Sequence, residues 1–217
     1  MHIFEGVLAG TMHGKEVLAV GMATAAAGTA VGLYRLDYDR MPRVAVLSSA
    51  FFVASLIPLP LGPAMVHPAF IGLMGLILGW AIFPAVLVAL SLQALFFSIG
   101  GLTTLGLNTL IMALPGVACH YLFRALMRSG SEGAVFAVGF AAGATGILLG
   151  ALLAGGSLMA AGKEFQAFGY VFLLANLPLA GLEGLVTGSV VVLLRKVRPE
   201  LLDAPLLVPA GQEALNG

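Results

Sequence analysis

Met1 and His2 open the chain, and together they carry three nitrogens at chelate spacing. The α-amine of Met1 and the amide nitrogen of His2 close a five-membered ring around a metal ion. That amide nitrogen and the His2 imidazole close a six-membered ring. Three nitrogens in one plane leave a fourth position for one more imidazole, and His67 is the candidate donor. Square-planar, all-nitrogen coordination suits Ni²⁺ or Cu²⁺ and accepts Co²⁺. It suits Zn²⁺ poorly, because zinc prefers a tetrahedron. It also suits Mg²⁺ and Ca²⁺ poorly, because both take oxygen ligands. An amide nitrogen binds only after losing its proton, so affinity is expected to fall in acid. A histidine at position 2 also reads as an ordinary surface residue. What decides between the readings is whether the fold brings His67 to the amino terminus.

The rest of the chain must therefore be read for elements that position these groups. Its residues are 60% hydrophobic and only 9% charged, and its mean hydropathy is +1.06. A soluble domain carries about 25% charged residues. The chain is thus expected to be an all-α, polytopic membrane protein in a lipid bilayer. A single cysteine, Cys119, excludes an internal disulfide framework or a cysteine metal cluster; it reads as a small buried apolar residue. No basic residue precedes Lys15, so the start lacks the charged region of a cleavable signal. Met1 is expected to remain as the mature terminus, because the large His2 side chain opposes its removal.

Each crossing needs about 20 apolar residues. Val17–Leu33 reads as the first crossing and Val44–Ile57 as the second, with a polar loop over Leu36–Arg43 between them. Pro58, Pro60 and Pro63 end the second. From His67-Pro68 a long apolar run reaches Phe97, too long for one crossing. A turn over Gly79–Pro84 divides it into short helices over Ala69–Leu78 and Pro84–Phe97. A glycine- and threonine-rich loop over Ser98–Gly106 follows. The fifth helix is expected over about Leu107–Leu126. The sixth covers about Ala134–Leu153, with Gly155-Gly156 fraying its end, and the seventh about Phe168–Leu194. Residues 1–195 form one transmembrane domain that includes the amino-terminal segment 1–14, and 196–217 form a cytoplasmic tail.

Charge placement orients this bundle of about seven transmembrane helices. Arg35, Arg40, Arg43, Arg124, Arg128, Arg195, Lys196 and Arg198 fall on one side, eight of the ten basic residues. The positive-inside rule makes that side cytoplasmic. The amino terminus is then outside and the carboxyl terminus cytoplasmic. Met1, His2, the loop before His67 and the loop over 100–106 share the outer face.

Met1-His2-Ile3-Phe4-Glu5-Gly6, the loop histidine in Val66-His67, Leu92–Phe96 and the run Gly100-Gly101-Leu102-Thr103-Thr104-Leu105-Gly106-Leu107-Asn108 resemble the CbiM/NikM family. These are the substrate-capture (S) components of energy-coupling-factor transporters for cobalt and nickel. Pro178–Gly184 resembles the family's last helix, and the likeness extends to about residue 195. It implies metal ligation by the Met1 amine, the His2 amide and imidazole, and the His67 imidazole. It implies a transported Co²⁺ or Ni²⁺ and no permanently bound cofactor. It also implies partners: a transmembrane coupling (T) subunit, paired cytoplasmic ATPase subunits and often a small accessory membrane subunit. The segment Pro63–Phe70 departs from the family pattern, with a proline directly after the histidine.

Several residues keep two readings. Thr103, Thr104 or Asn108 would hydrogen-bond a histidine or the terminus, or form an ordinary turn with a helix cap. Glu5 would hold the terminal segment or be solvated. Glu183, an acid in an apolar helix, is expected to face the interior and pair with Arg124 or another polar group. His13 reads as interfacial and His120 as structural. Small residues at four-residue spacing, such as Ala19, Ala23 and Ala27, pack helices or meet a partner subunit. No phosphate-binding Gly-x-x-x-x-Gly-Lys-Ser/Thr loop occurs, so ATP hydrolysis would belong to another chain. Two rivals are a stand-alone ion-coupled metal permease and an intramembrane hydrolase. The first favours several buried acids, and the second needs a nucleophile and base at one depth. No feature suggests nucleic acid.

Overall fold

A computed structural model describes residues 3–4, 6–8, 10–57, 59–61, 64–128 and 131–202. These residues form seven α-helices and one short hairpin: α1 (Gly14–Tyr34), α2 (Met41–Ser55), β1 (Leu59–Leu61), β2 (Ala64–Val66), α3 (Ile71–Leu78), α4 (Ile82–Phe97), α5 (Leu105–Phe123), α6 (Glu132–Ala161) and α7 (Gln166–Val197). The chain is a helical membrane protein. Five spans are long and apolar enough to cross a bilayer, with α3 and α4 counted as one of them, and α2 is a shorter apolar helix.

Helix α3 has 8 residues, about 12 Å at 1.5 Å per residue. It cannot cross a bilayer alone. The turn expected over Gly79–Pro84 is a 3₁₀ segment over Gly79–Ala81. Gly79 supplies the positive φ of +55° that this turn requires. Where three prolines were expected to end α2, β1 and β2 pair antiparallel, with Leu59 opposite Val66. The hairpin leads straight into His67.

The glycine pair Gly155-Gly156 does not end α6. The helix continues to Ala161, because Gly155 takes up a close approach of α7: a Cβ there would lie 3.2 Å from the Gly169 carbonyl oxygen. The same device recurs along these two helices. A Cβ on Gly139 would lie 2.9 Å from the Gly188 Cα. Without a strong water-driven force between helices in lipid, such contacts carry the packing. Ser131 caps α6 by accepting a bond from Ala134 N, and Lys196 joins Glu132 at 2.9 Å across the ends of α6 and α7.

Helix α5 is the hub. Gly106 packs on Met22 of α1, and Gly75 of α3 meets the Gly116 backbone. The buried face of α1 is Gly21, Ala25, Gly28 and Gly32. It sits on Leu107, Phe83 and Trp80. Ala19, Ala23 and Ala27 point the other way and are exposed.

Candidate metal centre

Two segments are fastened inside the bundle by buried polar side chains, and both matter to the expected ligands. The first is the amino-terminal segment. Ile3 is buried, and Asn108 on α5 grips its backbone twice. Ile3 N donates to Asn108 Oδ1 at 3.0 Å, and Asn108 Nδ2 donates to Ile3 O at 3.0 Å. An amide side chain can satisfy a donor and an acceptor of one residue together, much as a neighbouring strand would.

Asn108 is itself held by the first turn of α5. Its Nδ2 also donates to Thr104 Oγ1 at 3.2 Å, and Thr104 Oγ1 donates to Gly101 O. Gly100 and Gly101 adopt φ of +83° and +134°, which lets the loop turn from α4 into α5. Thr104 is buried. Thr103 is exposed in the same turn. The glycine–threonine run thus positions one asparagine whose partner is the chain's own beginning.

The second segment carries His67. The histidine is buried between β2 and α3. Its Nδ1 lies 3.0 Å from Pro68 O. A carbonyl oxygen only accepts, so the proton sits on Nδ1 and the lone pair on Nε2. Metal-ligating histidines are oriented in this way by a bond from the other ring nitrogen. The proline that departs from the family pattern is the residue whose carbonyl takes that bond.

Glu183 on α7 fastens the same loop. Its Oε1 accepts from Ala69 N at 2.6 Å and from Phe70 N at 3.0 Å. Phe70 has a left-handed φ of +48°, a conformation that costs a non-glycine residue about 1–2 kcal/mol. The two bonds hold it there, and they occupy N–H groups that would otherwise be orphaned at the start of α3. Pairing of Glu183 with Arg124 is not what forms. Arg124 lies at the end of α5 and donates to His120 Nε2 at 3.0 Å. Sequence reasoning flagged Glu183 as a buried acid but had no signal for its partner, which is backbone 114 residues away.

Met1, His2 and Glu5 lie outside the described residues. Among the described residues, no three His, Cys, Asp or Glu side chains are grouped to hold a metal ion. His13 is exposed and pairs with Glu16 at 2.9 Å. His120 is half-buried among Gly75 O and Arg124.

Comparison with known proteins bears on this geometry. The family described as cobalt uptake substrate-specific transmembrane region, CbiM, matches residues 2–201. A Haemophilus influenzae protein named for metal transport is 40% identical over 207 residues, covering 94% of this chain and 97% of its own length. The fused nickel transport protein NikMN of Rhodobacter capsulatus is 33% identical over 98% of this chain and 67% of its own length. A crystal structure described as a transition metal transporter superposes with a TM-score of 0.70 at 25% identity, over 91% of this chain and 93% of that one. The match spans α1 to α7 and includes both fastened segments, and on it the chain belongs to the CbiM family of cobalt uptake substrate-specific transmembrane regions.

Proposed function

We propose that the chain is the substrate-specific component of an ATP-driven energy-coupling-factor importer, and that it captures Co²⁺ or Ni²⁺ at the outer face of a prokaryotic cell membrane. The ion is held by the Met1 amine, the His2 amide and imidazole nitrogens, and His67. Thr103, Thr104, Asn108 and Glu5 support that centre from outside the ligand set. The metal is the cargo, and energy comes from ATPase subunits on other chains through a transmembrane coupling subunit, with an accessory membrane subunit where one is present.

The observation that carries this reading is the double grip of Asn108 on Ile3. It anchors residue 3 within the bundle, and two further residues reach at most about 7 Å. Ile3 belongs to the same buried apolar cluster as Ala69 and Ile71, which flank the His67 loop. The bond to Pro68 O puts the proton on His67 Nδ1 and the lone pair on Nε2, the nitrogen this reading assigns to the metal. Arg35, Arg40, Arg43 and Arg124 line one cavity and the end of α7 packs beside Arg43, a gathering of basic residues at one end that supports a cytoplasmic carboxyl terminus and an outer amino terminus. The exposed Ala19, Ala23 and Ala27 face of α1 suits close approach of a partner membrane helix.

A stand-alone ion-coupled permease needs several buried acids to carry its coupling ion. Glu183 is the one buried acid among the described residues, and its Oε1 already serves two backbone amides. Uptake of radioactive cobalt and nickel by cells making this chain with its partner subunits tests the reading. His67→Ala is expected to abolish uptake while leaving the protein in the membrane. Uptake at the unsubstituted rate would reject His67 as a ligand.

A further inference from the structure

The far end of the bundle holds a second polar centre that the metal reading does not use. Arg35, Arg40, Arg43, Arg124, His120 and Tyr121 line a cavity of about 290 Å³ where α1 ends, α2 begins and α3 turns into α4. Asn108 and His120 are 12 residues apart on α5, about 18 Å at 1.5 Å per residue, so the cavity is well separated from Ile3. No Asp or Glu among the described residues lines it.

Polar and aromatic side chains hold part of its positive charge in place. Arg35 lies over the Trp80 ring at 5.6 Å and donates to Tyr121 Oη at 3.4 Å. Trp80 Nε1 donates to the same oxygen at 2.9 Å. His120 Nδ1 bonds Gly75 O, so its Nε2 accepts from Arg124 and the imidazole is neutral. These partners fix two guanidinium groups without cancelling their charge. Arg40 and Arg43 stand in the first turn of α2, which has no acidic residue and no side-chain cap. A helix amino terminus already carries partial positive charge and favours anions. Two arginines there add to that positive potential.

An apolar groove continues from this cavity and shares Leu36 and Val44 with it. Leu33, Met41, Ala45, Phe52, Val88 and Leu92 line it along α1, α2 and α4. A cationic pocket opening into an apolar groove on a membrane protein matches one chemistry: a phosphate head with a hydrocarbon chain attached.

We propose that the Arg35–Arg40–Arg43–Arg124 cavity and the adjoining α1–α2–α4 groove bind one anionic phospholipid, its phosphate among the arginines and an acyl chain in the groove. The leaflet, cytoplasmic, follows from the orientation proposed above. The site itself does not depend on the metal reading or on that orientation.

Native mass spectrometry of the purified full chain in detergent, with added phosphatidylglycerol or phosphatidylcholine, tests this. One phosphatidylglycerol is expected to bind at least about tenfold more tightly than phosphatidylcholine, the scale of basic contacts at an anionic headgroup. The double substitution Arg40→Ala/Arg43→Ala is expected to remove that preference. The control Lys15→Ala/Lys163→Ala, at the opposite end, is expected to keep it. Ala45→Trp fills the exposed groove and is expected to weaken phosphatidylglycerol without changing inorganic phosphate binding; thermal unfolding shows that each variant is folded. Equal affinity for the two lipids would overturn the proposal. So would unchanged phosphatidylglycerol binding by Arg40→Ala/Arg43→Ala, the outcome expected if the pocket instead serves an acidic partner protein. Soluble glycerophosphoglycerol binding as tightly as the lipid would overturn the groove.

Discussion

Asn108 and Ile3 lie 105 residues apart and share two hydrogen bonds of 3.0 Å, one in each direction. This pairing ties the start of the chain to the first turn of α5. It fixes the backbone from which residues 1 and 2 extend.

Replacing Asn108 by Leu removes both bonds and leaves Ile3 N and O unpaired in the interior. Each such group costs about 1–3 kcal/mol. Metal affinity is expected to fall about 10- to 100-fold, the range for loss of an outer support of a metal site. The helical bundle should remain, since among the described residues the Asn108 side chain bonds only Ile3 and Thr104 at the start of its own helix. Titration with Ni²⁺ and Co²⁺ beside a thermal unfolding curve checks both halves.

Glu183 makes a different expectation, because it holds the His67 loop rather than the terminus. Glu183→Ala strands Ala69 N and Phe70 N at the start of α3, at about 1–3 kcal/mol each, and releases the left-handed Phe70. It is expected to lower both thermal stability and metal affinity. Glu183→Gln keeps an acceptor oxygen for the two amides, so it should retain part of each. Comparing the two variants by thermal unfolding and metal titration checks the order.

Close helix contacts give a sharp contrast. A Cβ on Gly75 would run into the Gly116 carbonyl, whereas Gly181 has nothing within 4 Å of where a Cβ would lie. Gly75→Ala should destabilise the protein by at least about 1–3 kcal/mol, and Gly181→Ala should be near neutral. The fraction of folded, monodisperse protein recovered in detergent, with its thermal midpoint, distinguishes them.

Nitrogen ligands bind metal only when deprotonated, and binding therefore releases protons. The proposed set includes an amide nitrogen, which gives up its proton on binding. Metal affinity is expected to rise with pH and to fall in acid. Calorimetric titration in buffers of different ionisation enthalpy should show net proton release. No release would argue against the amide as a ligand.

Much of the architecture was legible in the chain because apolar length carries it. The turn between α3 and α4 was visible as Gly79 with Pro84 close behind. The end of α6 was not, because Gly155-Gly156 reads locally as a break, and only the Gly169 backbone packed against it explains the continued helix. Asn108 was picked out by its place in the glycine–threonine loop, but its partner was left open between a histidine and the terminus. Glu183 stood out as a buried acid, yet its bonds go to backbone amides. Backbone partners leave no mark in residue types. Met1, His2 and Glu5 lie outside the described residues, so their expected roles rest on chemistry and on the family resemblance.

The chelate is tested most directly by inserting one alanine between Met1 and His2. The insertion changes the ring sizes around the metal but leaves His2-Ile3, the Asn108 grip and every side chain in place. Ni²⁺ and Co²⁺ binding to the purified protein is expected to be lost while thermal stability without metal stays unchanged. Binding with the affinity of the unmodified protein would contradict a centre built on the Met1 amine and the His2 amide.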